Sequence, residues 1–194
     1  DGTRKWYYQG KRHRENDEPA VEYPDGSRKW FYNDDLHREG GEPAVEHADG
    51  TKLWYYNGKK HREHGLPAVE DADGTRKWYY NGELHREGGE PAVEHADGLE
   101  WWYHGKRHRE NDLPAVEDIN GKEWFYNDER HREGGEPAVK EADGSKEWWY
   151  NGQLHRENDL PAVEDADGSR NWWYRGKQHR ENNKPAVEDA NGWR

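Results

Sequence analysis

A His-Arg-Glu triplet occurs eight times in the chain: His13, Arg14 and Glu15; His37, Arg38 and Glu39; His61, Arg62 and Glu63; His85, Arg86 and Glu87; His108, Arg109 and Glu110; His131, Arg132 and Glu133; His155, Arg156 and Glu157; His179, Arg180 and Glu181. Histidine beside glutamate offers acid–base chemistry or metal ligation, and arginine offers an anion clamp. Catalysis needs one water-excluding pocket with a nucleophile or substrate clamp, and near-equal copies spread along a chain supply none. A zinc ion needs several ligands within about 2.0–2.3 Å. One imidazole per repeat, with a spacing of about 10 Å for two strands, does not converge on an ion. The reading that remains is a structural ladder. Arginine stacks on aromatic faces and pairs with glutamate of its own or a neighbouring repeat, while the imidazole bonds a turn backbone. No catalytic residue, cofactor site or metal site is assigned.

An aromatic triplet precedes each His-Arg-Glu. Its middle position is Tyr7, Phe31, Tyr55, Tyr79, Trp102, Phe125, Trp149 and Trp173, always aromatic. Alternation along a strand sends Trp148 and Tyr150 one way and Trp149 the other. The middle row then has two readings: covered core, or an exposed aromatic ridge on which a partner or a sugar ring stacks.

These residues belong to a repeat. Alignment on the Asp-Gly and Asn-Gly dipeptides divides the chain into 1–24, 25–48, 49–72, 73–96, 97–119, 120–142, 143–166 and 167–190, with a ninth copy begun at 191–194. The whole chain is one array. Asn57-Gly58, Asn81-Gly82 and Asn151-Gly152 predict two-residue type I′ turns, as do Asp25-Gly26, Asp73-Gly74 and Asp143-Gly144. A third bend precedes each proline at pairs such as Asn16-Asp17, Gly40-Gly41 and His64-Gly65, which tolerate left-handed backbone. The proline after it excludes a continuous helix. No segment repeats apolar residues at helical spacing, so the fold class is all-β.

Composition narrows the function. Only 29% of residues are hydrophobic and 37% are charged, which excludes a thick core, yet 12 Trp and 12 Tyr at regular spacing argue for order. A net charge of −12 disfavours nucleic acid and anionic membrane surfaces as partners. No apolar run reaches the roughly 18 residues of a membrane helix. Cysteine is absent, which removes disulfides and thiolate chemistry. Methionine is absent too, so the sequence reads as a processed product or a fragment, and nothing in it assigns a compartment.

The unit W-Y-x-N-G-K-x-H-R, with Lys59, Lys106 and Lys177 after turn glycines, resembles the MORN (membrane occupation and recognition nexus) repeats, especially their degenerate bacterial and viral type. The resemblance implies antiparallel hairpins laid side by side in a ribbon, a protein-contact or scaffolding role, and no catalytic residues. Arg-Glu in place of a second glycine and the invariant Pro-Ala-Val depart from that pattern. A solenoid with one coil per repeat is the alternative fold. The functional expectation is a non-enzymatic scaffold, extending to a fibre segment whose partners are identical chains joined end to end, since the sequence opens in phase at Asp1-Gly2 and stops as a repeat begins. A carbohydrate- or ligand-binding module is the alternative.

Repeats that touch only their neighbours grow in one dimension. Small-angle scattering should therefore give a radius of gyration well above the roughly 16 Å of a compact chain of this length, and a value near that figure excludes an elongated array.

Overall fold

The strand through the aromatic triplet finds two different partners. In the second repeat Arg28–Lys29 pairs antiparallel with Val45–Glu46, whereas Phe31–Tyr32 pairs with Asp35–Leu36. Trp30 sits between them. Its N–H donates to the Ala44 carbonyl at 2.8 Å, and its own carbonyl accepts from His37 N–H at 3.2 Å. The returning strand is thus split in two, and residues 38–43 leave the pairing between its pieces. That excursion accounts for the long stretch between one turn and the next. The computed structural model describes residues 2–191. Asp1 and residues 192–194, on which the reading of open termini rests, lie outside the described residues.

Within each half a Val-Glu strand also pairs with the Arg-Lys strand of the following repeat, as in Val21↔Lys29 and Glu22↔Arg28. Sheet order therefore follows chain order. In Asp1–Ala96 it runs Arg4–Lys5, Val21–Glu22, Arg28–Lys29, Val45–Glu46, Lys52–Leu53, Val69–Glu70, Arg76–Lys77 and Val93–His95. In Asp97–Arg194, a separate compact half, it runs Gly98–Glu100, Val116–Asp118, Gly121–Glu123, Val139–Glu141, Lys146–Glu147, Val163–Glu164, Arg170–Asn171 and Val187–Glu188. The architecture is an all-β array of antiparallel hairpins. A solenoid would stack equivalent strands in parallel, whereas the described pairs are antiparallel.

Within each half the short aromatic hairpins stack as well, through one backbone bond to the hairpin before. Gly58 N–H donates to the Leu36 carbonyl at 3.0 Å and Gly82 N–H to that of Lys60 at 2.9 Å. Two strand widths per repeat set a rise of about 9.6 Å within each half.

The core is thin. The alanines of Pro-Ala-Val, from Ala20 to Ala162, have no exposed surface. Ala68 shows why the position stays small: its carbonyl accepts from Trp54 N–H at 2.8 Å while its N–H donates to the Lys77 carbonyl at 2.9 Å, so backbone closes on it from both neighbouring strands. Tryptophans 30, 54, 78, 101, 124, 148 and 172 are buried beside them.

The turns follow the expected positions but not always the expected type. Asn57 and Gly58 have φ of 47° and 76°, the left-handed pair that a type I′ turn requires. At the Asp-Gly turns the expectation is corrected. Gly26 has φ of 93° but Asp25 stays out of the left-handed region. Tyr23 C=O accepts from Gly26 N–H at 3.0 Å and Tyr23 N–H donates to Ser27 C=O at 2.9 Å, a type I turn closed by a glycine bulge. The cause is the Asp25 carboxylate, which accepts from Ser27 N–H at 2.8 Å. That bond holds its pKa below the ordinary range, and Asp49, Asp73, Asp143 and Asp167 repeat the arrangement. The third bend contains two consecutive left-handed residues, such as Asn16 and Asp17 at 62° and 55°.

The repeat at 120–142 lacks one residue, and the loss lengthens strands. The turn shrinks to Ile119 and Asn120, and the flanking strands grow to three residues, Val116–Asp118 and Gly121–Glu123. Gly121 adopts φ of 148°, and a Cβ there would lie 2.1 Å from the Lys140 carbonyl oxygen.

Gly26→Ala, in open space, should lose about 1–2 kcal/mol for its left-handed φ alone. Gly121→Ala must also displace backbone and should lose more. Urea unfolding of the two variants checks the order, and equal midpoints contradict the close approach.

Candidate functional site

Each repeat builds one tryptophan-centred lock. The Arg38 guanidinium lies 4.0 Å from the Trp30 ring centroid, and across all eight repeats this distance is 3.5–4.0 Å. The spacing of two residues past the hairpin return brings the arginine back over the indole. Its Nη1 donates to the Pro43 carbonyl at 3.4 Å and to Glu46 Oε1 at 3.3 Å. The glutamate engaged is therefore the one after Pro-Ala-Val, eight residues on, not the one inside the triplet. Arg14, Arg62, Arg86, Arg109, Arg156 and Arg180 do the same with Glu22, Glu70, Glu94, Glu117, Glu164 and Glu188.

Within each half the indole ties a repeat to the one before it. Trp30 Nε1 donates to the Asp17 carbonyl at 2.9 Å, Trp54 Nε1 to Gly41 and Trp78 Nε1 to Gly65 at 2.8 Å. These acceptors are the second left-handed residue of the third bend, so the bend aims a carbonyl at the next repeat. Where that residue is aspartate, its side chain reaches the next arginine too. Asp17 pairs with Arg38 at 2.7 Å and Asp112 with Arg132 at 2.8 Å. The arginine hydrogen bonds hold both carboxyls below the usual range. In the repeat at 120–142 the Val-Glu glutamate is replaced by Lys140, and Asp112 then supplies the close anion for Arg132.

The histidines take a different position. In the N-terminal half they alternate with the third aromatic of the triplet in the order Tyr8, His13, Tyr32, His37, Tyr56, His61, Tyr80 and His85, with ring centroids 5.2–6.4 Å apart. In the other half Tyr103, His108, Tyr126, His131, Tyr150, His155 and Tyr174 continue the pattern at 4.8–6.4 Å. Asn57 N–H donates to His37 Nδ1 at 3.3 Å and Asn151 N–H to His131 Nδ1 at 3.1 Å. An accepting Nδ1 places the proton on Nε2. His108 and His155 direct Nε2 to Glu110 and Glu157 at 2.9 Å, giving the triplet glutamate its role. Nδ1 of His13, His61 and His108 is buried without a partner, and His179 is exposed.

Of the two readings of the middle aromatic row, covered core describes most of it. Phe31 and Phe125 are buried, Tyr55, Tyr79, Trp102, Trp149 and Trp173 half-buried, and Tyr7 exposed. Arg12 caps Phe31 and Arg107 caps Phe125, each at 4.1 Å, while Lys60 caps Tyr79 at 4.9 Å. Burial pushes the Tyr55 and Tyr79 phenols up. The exposed row is the third position, where the tyrosines from Tyr8 to Tyr174 keep 44–57% of their surface. Simple alternation missed it because Trp148 and Tyr150 share a strand face but not an environment: the broad sheet covers the first, and only the hairpin lies beside the second. The available signal was that this tyrosine never varies between repeats, while the middle aromatic does.

Between adjacent tyrosines lies a groove. One of about 660 Å³ is lined by Tyr32, His37, Glu39, Tyr56, Glu63 and Leu66 among others, and another of about 430 Å³ by Tyr126, His131 and Tyr150 with Leu113. Among the described residues no three His, Asp or Glu side chains gather in metal-binding geometry. No protein-family model matches the chain, and comparison with curated proteins returns no relative.

Asp17 carries a depressed pKa only when folded, so its contribution to stability is present above about pH 4 and is lost as pH falls through the lower folded value. Asp17→Asn should lower stability near pH 7 by at most about 1 kcal/mol, given the exposure of the carboxylate. The difference from the parent should close below about pH 4 in urea titrations. A difference independent of pH contradicts the pairing.

Proposed function

We propose that the array is a non-enzymatic scaffold that offers the same surface to a protein partner at every repeat, and that it is a MORN-type array. The observation that carries this reading is the division of labour inside the repeat. Trp, Arg, Pro-Ala-Val and the Val-Glu glutamate join strand to strand and repeat to repeat, while the third tyrosine and the triplet glutamate stay exposed in near-identical settings. A catalytic site requires one member of a set to differ from the others in environment, whereas these positions repeat. A fibre segment is the same reading carried further, because every junction within a half uses one register, Val with Lys or its equivalent and Glu with Arg or its equivalent.

Excision of residues 49–72 is the test. A scaffold of equivalent repeats should refold, with a denaturant m-value lower by about one eighth, since m scales with the surface exposed on unfolding. Collapse of the shortened chain, or turnover of a simple ester, phosphate ester or glycoside by the parent that vanishes on excision, overturns it.

A further inference from the structure

The exposed tyrosines and the grooves between them are the surface that the folding contacts leave over. Each groove has two phenol walls and a largely buried imidazole floor, as with Tyr32, His37 and Tyr56. Leu66, Leu113 and Leu160 add an apolar wall in three repeats. The rim is anionic. Side chains of Glu63, Glu110, Glu133 and Glu157 are 70–87% exposed along it. The arginines that lie on the indoles are neutralised by their glutamate or aspartate partners, as Arg62 is by Glu70 at 2.8 Å, while Arg175 adds a cation to the groove beside Tyr150.

The repeat distance selects the ligand conformation. Two strand widths give about 9.6 Å from groove to groove. A polyproline II chain advances about 3.1 Å per residue with three residues per turn, or about 9.3 Å per turn, and drifts by less than about 1 Å over the three grooves of a half. An extended β-strand repeats its side chains every two residues, about 6.8 Å, and two turns of α-helix span about 10.8 Å. Neither keeps step over four repeats. Slots between upright aromatic rings are also the surface on which proline rings dock, and the preformed helix loses little entropy on binding.

We propose that the tyrosine grooves of each half bind a proline-rich, basic segment in the polyproline II conformation, one turn per repeat, with prolines between the tyrosines and Lys or Arg over the glutamate rim. The proposal rests on the scaffold reading and names the partner's chemistry.

The test is calorimetric titration of the full chain with a peptide of four Pro-Pro-Lys triplets, long enough to fill the three grooves of a half. Controls are a Gly-Ser-Lys peptide of equal length and charge, a Pro-Pro-Glu peptide, a peptide with one glycine inserted after each triplet, and soluble β-linked oligosaccharides. The Pro-Pro-Lys peptide should bind at least about tenfold more tightly than any control, and doubling two triplets to four should raise affinity by about tenfold or more through multivalency. Tyr32→Ser with Tyr56→Ser should remove the site in the N-terminal half and lower the stoichiometry from about two peptides per chain to about one, the other half keeping its affinity, whereas Tyr56→Phe should leave both sites. Both positions are half exposed, and unchanged tryptophan emission verifies the fold. Equal binding of the Gly-Ser-Lys peptide reduces the effect to charge and overturns the proposal, as does silence up to about 1 mM peptide or a response to oligosaccharides alone. A chain that refolds after excision of residues 49–72 yet ignores the peptide overturns the ligand and leaves the scaffold standing.

Discussion

The indole of each repeat meets four demands at once, and the rest of the structure depends on their being met together. The tryptophan backbone splits the returning strand between Ala44 and His37, its ring supports a guanidinium, and its Nε1 reaches the bend of the preceding repeat. In a chain with so little apolar surface, a buried indole is the largest single hydrophobic contribution available. Its one polar atom must then be satisfied, and only a backbone carbonyl turned outward by two left-handed residues is in reach. This explains why the third bend carries Asn-Asp, Gly-Gly, His-Gly or Asn-Asn and never a β-branched pair.

The same demand fixes the arginine. A planar guanidinium over the indole excludes water from the ring while keeping its N–H groups in the plane, free to bond a proline carbonyl and a carboxylate. Lysine has the charge but not the fork. Both anions that the arginine meets lie on strands or bends already positioned by the tryptophan, so the ion pairs follow from the packing and do not create it.

Much of this was legible in the sequence. Period, turn positions and the absence of helical spacing gave the hairpin array, and the left-handed pairs before each proline were readable from residue type alone. Three things were not. The turn at Asp25-Gly26 depends on whether an aspartate bonds its own loop, which the dipeptide does not reveal. The anion partner of seven of the eight arginines is eight residues away because of bends such as that at 38–43, which have no sequence signature beyond their length. The exposed aromatic row was not found, because alternation weighs only whether the middle position is covered and assumes one environment per strand face, whereas the pairing changes partner at tryptophan. The constancy of Tyr32 and its equivalents pointed to the row that matters.

The arginine at 38 faces one carboxylate from its own repeat and one from the repeat before, whereas Arg132 relies on Asp112 after its own glutamate position became Lys140. Redundancy of this kind makes the array forgiving. A charge can be lost in one copy while a neighbour's acidic residue holds the same cation in place, so individual copies are able to drift in sequence without the stack coming apart. Divergence among the repeats is then buffered by adjacency, and the positions that stay constant despite it mark what a neighbour cannot replace.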